Sequence, residues 1–211
     1  MKNKKIEIVL TTLVCLLPIL AGLILYDRLP ERIATHFGMN GEPDGWQSKA
    51  FAVFAMPAIM AGINLFAQFA LRTDPKRQNM NPSLRSIALW TVPVISVLTS
   101  AFILSGALGY SSRIELVLPV LLGLLFIIIG NYLPKTKQSY TMGIRLPWTL
   151  ASEENWNRTH RLAGFLWVAG GILMILLTLL KLWNSLFLIV LITLMVLVPA
   201  VYSYRLYKKG I

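Results

Sequence analysis

The sequence predicts an all-α polytopic membrane protein: a bundle of six transmembrane helices, with both termini cytoplasmic. Three observations predict it. First, six stretches run for nineteen or more residues without an Asp, Glu, Lys or Arg: Ile8–Tyr26, Ala50–Leu71, Ser86–Ser112, Leu116–Pro134, Leu162–Leu180 and Leu182–Tyr204. A helix rises about 1.5 Å per residue and a hydrocarbon core is about 30 Å thick, so roughly 20 apolar residues cross it. Second, the 211 residues are 56% hydrophobic and 14% charged, where a soluble domain is about 25% charged. The chain is therefore one integral membrane domain over residues 1–211, with no room for a separate soluble one. Third, the net charge of +11 is one-sided. With six spans, the N-terminus, the second and fourth connections and the C-terminus share a side. That side carries 15 of the 20 Lys and Arg residues and 4 of the 9 Asp and Glu, and the other side balances 5 against 5. The positive-inside rule puts the basic side in the cytoplasm, where it meets anionic lipid headgroups at about 1 kcal/mol per residue.

The first helical hairpin covers residues 8–71. Its first span has a basic start, but the apolar run exceeds the 7–15 residues of a signal-peptide h-region and no A-x-A-like site follows, so it reads as a permanent helix. Cys15, the lone cysteine, lies within it, so no internal disulfide forms. The connection 27–49 is the longest on the outer side. Gly38, Gly41, Pro43 and Gly45 with Asn40 and Asp44 are turn formers, and His36, Phe37 and Trp46 sit among them, which predicts a structured extracellular loop. On the second span Asn64 and Gln68 stand one turn apart, the most polar pair at membrane depth, and are expected to bond a neighbouring helix. Asn131 lies near the end of the fourth span. The second connection, around Arg72–Arg85, is polar and basic, and Asn81-Pro82 marks a turn.

The second hairpin covers 86–134, with a very short connection near Ser111–Glu115. Ala101, Ser105 and Gly109 recur every four residues on its first span, a small-residue stripe that suits close packing inside the bundle. Pro18, Pro57, Pro93, Pro119 and Pro199 fall inside spans, where they kink helices and shape the bundle. The fourth connection, 135–161, is the longest on the cytoplasmic side. Pro147 breaks the approach, and Ser152 N-caps a helix whose first turn holds Glu153 and Glu154, where the dipole favours anions. That helix runs into the third hairpin, 162–204. Trp156, His160, Ala163 and Trp167 fall on one of its faces. The two tryptophans suit headgroup-level anchors. Alternatively, Arg145, Trp148, Trp156, His160 and Arg161 make a cytoplasmic recognition surface, with Arg145 paired to a carboxylate such as Glu154 or to a soluble partner.

Several chemistries are missing. No span carries an ionisable acid, base or histidine, the groups that pumps and ion-coupled transporters place in the membrane. A transporter of small molecules or peptides is kept only as the alternative function. His36 and His160 fall on opposite sides of the membrane, and no His/Cys/carboxylate cluster has metal-ligand spacing. Ser152, Glu153 and His160 share a connection, but Ser152 is better explained as a cap than as a nucleophile. The reading is of a protein that is not an enzyme and holds neither metal nor cofactor.

Two segments carry a resemblance. The run Gly143-Ile144-Arg145-Leu146-Pro147-Trp148-Thr149-Leu150, followed by Trp156 and Thr159-His160-Arg161-Leu162-Ala163-Gly164, closely resembles the "GIRTPWTL…W…THRLAG" block of the SdpI immunity-protein family. The outer loop, with Leu29-Pro30, His36-Phe37, Gly41, Asp44, Trp46 and Ser48-Lys49, is similar to the short domain of unknown function that commonly precedes that block. With the matching span order, the resemblance covers nearly the whole chain. Leu146 departs from it, where threonine is usual, and so does Ser139, where asparagine is common. The resemblance implies a multi-pass protein of the bacterial cytoplasmic membrane that protects its cell from a secreted antimicrobial peptide toxin. The best-known member also implies signalling: it holds a soluble transcriptional repressor at the membrane when toxin is present. On that reading His36, Phe37, Asp44 and Trp46 contact the toxin. Arg145, Pro147, Trp148, Glu154, Trp156, His160 and Arg161 hold the bundle together or bind a regulator. The partners are then the lipid bilayer, the toxin and the repressor, with no direct contact to nucleic acid; the oligomeric state is left open.

Overall fold

A computed structural model describes residues 2–38, 42–110, 114–182 and 184–211. Asn40 and Gly41 of the first connection, and residues 111–113 of the third, lie outside the described residues. The protein is a mostly helical, multi-pass membrane protein, and among the described residues six helices are long and apolar enough to cross a membrane. In chain order these are α1 (Lys2–Leu25), α2 (Met56–Thr73), α3 (Pro82–Ala107), α4 (Ile114–Tyr132), α6 (Glu153–Leu179) and α7 (Ser185–Lys208); a short helix, α5 (Pro147–Ala151), precedes α6. The first connection folds as an antiparallel pair, β1 (Arg32–Phe37) and β2 (Pro43–Ser48). The chain divides into two compact units: Met1–Arg72 with Arg85–Ile114, and Thr73–Leu84 with Glu115–Ile211.

In the first unit α1 is the hub. Ser96 Oγ donates to the Cys15 carbonyl (2.9 Å), tying α3 to α1. Asn64 Nδ2 donates to Thr11 and Thr12 (3.2 Å each) and Gln68 Nε2 to Thr11 (2.6 Å), so this polar pair bonds the neighbouring helix. Inside an apolar interior such groups need partners. Glu7 pairs with Arg85. The second span widens at its start: after helical Lys49 and Ala50, Phe51–Ala55 form a π-type turn, and Met56 N–H reaches back to the Phe51 carbonyl. Pro57 follows at once, where its missing N–H and fixed φ are tolerated at a helix start. It therefore marks a change of helix type rather than a kink in mid-span. At this level a Cβ on Gly22 would lie 2.6 Å from Val53 Cγ1, so α1 and the π-turn approach closely only because Gly22 is bare. Leu29, Ile33, Ala52, Val53, Ile103 and Leu104 form the core beneath the hairpin.

α3 ends on Gly109 (φ +80). Gly109 N–H bonds the Gly106 carbonyl and Tyr110 N–H the Ser105 carbonyl, a Schellman closure. Within this unit the stripe expected to pack inside the bundle makes no close helix contact at its ends, and Ser105 is half-buried. Ala101 and Gly109 are exposed, and nothing lies within 4 Å of a Cβ placed on Gly109. Gly109 serves the backbone turn instead.

In the second unit the close packing lies elsewhere. A Cβ on Gly130 would sit 2.9 Å from the Gly164 carbonyl oxygen, and one on Gly164 2.7 Å from that of Gly130. Gly123 and Gly171 repeat the relation at 2.8 and 2.5 Å. The two pairs are seven residues apart on each helix, so antiparallel α4 and α6 meet backbone to backbone over two turns. Phe126 and Trp167 pack edge to face across this seam (5.5 Å). Trp167 Nε1 donates to the Met195 carbonyl on α7 (3.2 Å), so this indole ties two helices.

Candidate functional site

Two constructions gather the residues singled out above. The first is the hairpin. Its register runs Arg32↔Ser48, Ile33↔Gln47, Ala34↔Trp46, His36↔Gly45 and Phe37↔Pro43. Thr35 is extra on β1 and Asp44 extra on β2, so two bulges offset each other and re-aim the side chains between them. Gly45 lies opposite His36, where a Cβ would come within 2.8 Å of the His36 Cβ. Ile33 points into the core, 1% exposed. Lys49 closes the base of the hairpin: its Nζ pairs with Glu31 (2.8 Å), and that hydrogen bond raises the Lys49 pKa above its ordinary value.

The four hairpin residues expected to act together separate into two pairs. His36 Nδ1 and Asp44 Oδ1 bond each other on an exposed edge. Phe37 packs edge to face on Phe102 of α3 (5.2 Å), and Phe37 and Trp46 line a groove of about 360 Å³ between the hairpin and the end of α3. Ile103, Ala107 and Tyr110 form its far wall, and Arg32 is its only charged lining residue among those described. Trp46 and Tyr110 are left 49% and 70% exposed at the rim, large aromatic surfaces with little of this chain covering them. Arg32 and Tyr110 were not legible as site residues, because only the folded hairpin brings them beside Phe37 and Trp46.

The second construction is the fourth connection, folded down on the start of α6. Ser152 Oγ accepts from the Asn155 N–H, the expected cap. Trp156, fully buried, donates from Nε1 to the Thr136 carbonyl (2.8 Å) and stacks on His160 (4.0 Å between ring centres, 22°). His160 Nε2 accepts from Ile144 N–H (2.9 Å). Its Nδ1 lies 2.8 Å from the Trp156 carbonyl, which only accepts. The partners assign the proton to Nδ1, so both ring nitrogens are used in a neutral ring. Gly143 (φ +98) crosses above this stack, where a Cβ would stand 2.5 Å from His160 Nε2 and 2.9 Å from the Trp156 ring. Only glycine suits both the left-handed φ and the clearance. Thr149, also fully buried, accepts from Leu146 N–H (2.8 Å) and faces the Ile144 carbonyl (2.8 Å). Trp148 stacks on Tyr207 of α7 and meets Tyr204 edge-on. Asn155 donates to the Ser203 and Ile211 carbonyls and accepts from Ser203 Oγ (2.6 Å).

Asp74 fastens the second connection to this fold. Its Oδ2 accepts from Ser139 Oγ (2.6 Å), Thr141 Oγ1 (2.6 Å) and the N–H groups of Tyr140 and Thr141 (2.9 Å each), and its Oδ1 from Lys76 N–H (2.7 Å). The residue is 4% exposed. Burial alone would raise its pKa. The hydrogen bonds from Ser139, Thr141 and Lys76 outweigh burial, and the carboxyl sits below its ordinary value.

Of the cytoplasmic recognition surface expected from Arg145, Trp148, Trp156, His160 and Arg161, the fold buries Trp156 and His160, half-buries Trp148 and leaves Arg145 and Arg161 exposed. Trp156 and His160 are interior, because the connection spends their polar atoms on its own backbone. Arg145 does not pair with Glu154: its guanidinium donates to the Tyr140 carbonyl (2.8 Å), and Glu154 pairs with Arg158 one turn along α6. Pro147 starts α5 at its first position, and Arg161 is exposed. Among the described residues no three His, Cys, Asp or Glu side chains cluster to hold a metal ion.

Residues 135–203, which include this folded connection, match the SdpI/YfhL protein family, and residues 13–61, which include the hairpin, match a domain of unknown function (DUF1648). The chain is 31% identical to the Immunity protein SdpI of Bacillus subtilis (strain 168), over 99% of this chain and 98% of that one. No solved structure matches.

Proposed function

Because this chain belongs to the SdpI/YfhL family, we propose that it is an immunity protein of the cell membrane, that it protects its cell from a secreted antimicrobial peptide, and that the hairpin groove is where the peptide is met. The observation that carries this reading is the groove itself: exposed Trp46 and Tyr110, with Phe37, around about 360 Å³ of apolar space. That is the lower end of the volume range for small-ligand sites. The charge bias puts this hairpin outside, facing a secreted peptide, and the basic fourth connection inside. The role is one of binding, not of catalysis.

The test is protection. Cells lacking the gene, complemented with the parent chain or with Trp46→Ala, are challenged with peptides encoded beside it. Trp46→Ala is expected to sensitise cells at unchanged membrane protein level, while His36→Ala, which is not on the groove lining, keeps protection. Unchanged protection by Trp46→Ala would remove the groove from the mechanism. A repressor held at the membrane would have to use the exposed rim of the folded connection, with Arg145, Arg161 and the Glu154–Arg158 pair, since Trp156 and His160 are interior. Loss of repressor recruitment in Arg161→Ala, with protection retained, would mark that rim as the signalling surface. Peptide flux across vesicles holding the protein would instead favour the transporter alternative.

A further inference from the structure

The charge at the groove points to the part of a peptide that it takes. Among the described residues, Arg32 is the single charged one on the lining, and no acidic side chain faces it there. Two neighbouring acids are engaged elsewhere, Glu31 with Lys49 and Asp44 with His36. Arg32 itself is exposed and has no ion pair among the described residues. A guanidinium left free beside an apolar hollow is complementary to one anion next to an apolar group, and its planar fork matches the two oxygens of a carboxylate. The hollow has room for one or two side chains, not for a folded peptide. Apart from Arg32, the only side-chain donors on its lining among the described residues are Trp46 Nε1 and the Tyr110 hydroxyl, a sparse set for the several oxygens of a phosphate headgroup.

We infer that the groove binds the carboxyl terminus of a peptide: Arg32 holds the terminal carboxylate, and Phe37, Trp46 and Tyr110 enclose an apolar last side chain. This rests on the reading of the groove as the peptide-facing site and specifies which end of the peptide enters.

The experiment uses the full chain in phosphatidylcholine nanodiscs, with N-acetyl-Leu-Phe as free acid or as carboxamide, followed by saturation-transfer NMR. The acid is expected to bind about tenfold more tightly than the amide, the scale of a hydrogen-bonded charge pair at a partly wet site. Arg32→Gln should abolish the preference, and Trp46→Ala should weaken both probes. Equal binding of acid and amide to the unaltered protein overturns the inference, and that comparison stands whether or not Arg32→Gln folds. A preference that survives in a folded Arg32→Gln protein also overturns it. So does displacement of the acid when phosphatidylglycerol replaces part of the lipid, which would make the groove a site for anionic headgroups. If acid and amide bind alike while Trp46→Ala still sensitises cells, the carboxylate inference fails and the peptide-facing reading stands. Loss of both sinks the two together.

Discussion

At the scale of single residues, the folded connection depends on a few atoms with no substitutes. Asp74 gathers five hydrogen bonds, and its removal would orphan hydroxyls and amides that are otherwise shielded from water. Asp74→Asn keeps the size and loses the charge, and is expected to cost on the order of 2–3 kcal/mol, read as a lower melting temperature in detergent. The same carboxylate predicts a pH dependence. Its folded pKa is lowered, while the unfolded chain titrates near the ordinary value of about 3.9. The folded state therefore binds this proton less readily. The contribution is fully present above about pH 4–5 and is lost as pH falls below that value, through the folded pKa. The acid limb of the melting curve should be shallower in Asp74→Asn than in the parent. Leu146 gives a prediction of opposite sign. It occupies the N-cap of α5 with extended backbone and no side-chain acceptor. Leu146→Thr would add an acceptor for the Thr149 N–H and is expected to stabilise by about 1 kcal/mol, seen as a raised melting temperature. These roles were only partly legible in sequence. The Ser152 cap follows from a local pattern. The bond between Asp74 and residues 139–141 spans more than sixty positions, and no periodicity announces it.

At the scale of elements, the α4–α6 seam is the most exacting contact. The carbonyl oxygens facing Gly123, Gly130, Gly164 and Gly171 are backbone and cannot swing aside. Gly171→Ala is therefore expected to cost about 1–3 kcal/mol as the helices separate, whereas Gly109→Ala would add a methyl into open space and suffer only the strain of a left-handed φ. Comparing the melting temperatures of the two variants checks this. The seam was legible in principle, since glycines recur at a spacing of seven on both helices. The stripe of Ala101, Ser105 and Gly109 is an equally regular pattern that the fold leaves exposed at Ala101 and Gly109 and half-buried at Ser105. Small residues permit close approach, but they do not dictate which face is used. The six spans themselves were legible because length and missing charge are decided locally. The hairpin strands were not, because the turn formers of residues 38–45 signal a fold of the chain without stating its register.

At the scale of the whole molecule, the distribution of charge makes a claim about orientation. Single cysteines at positions 44 and 145, in a Cys15→Ala background, are expected to differ: impermeant maleimide should label position 44 in intact cells and leave position 145 unlabelled until the cells are opened. Labelling at 145 in intact cells would invert the arrangement and place the groove on the wrong side for a secreted peptide. The π-type turn at Phe51–Ala55 carries a further consequence. A π-turn is an α-helix holding one residue more than its pitch requires. It takes up that residue within one wide turn, so the chain before it keeps its facing toward the rest of the second span. The wide turn is therefore the place in this span that can lose one residue without turning the hairpin. The same deletion among residues 58–70 of the regular helix would turn everything before it by about 100° about the helix axis. The strands would keep their own register while the wall they build swung away from Ile103 and Tyr110. A chain shortened by a single codon in the π-turn is expected to keep its groove, and one shortened a few codons later to insert and present none.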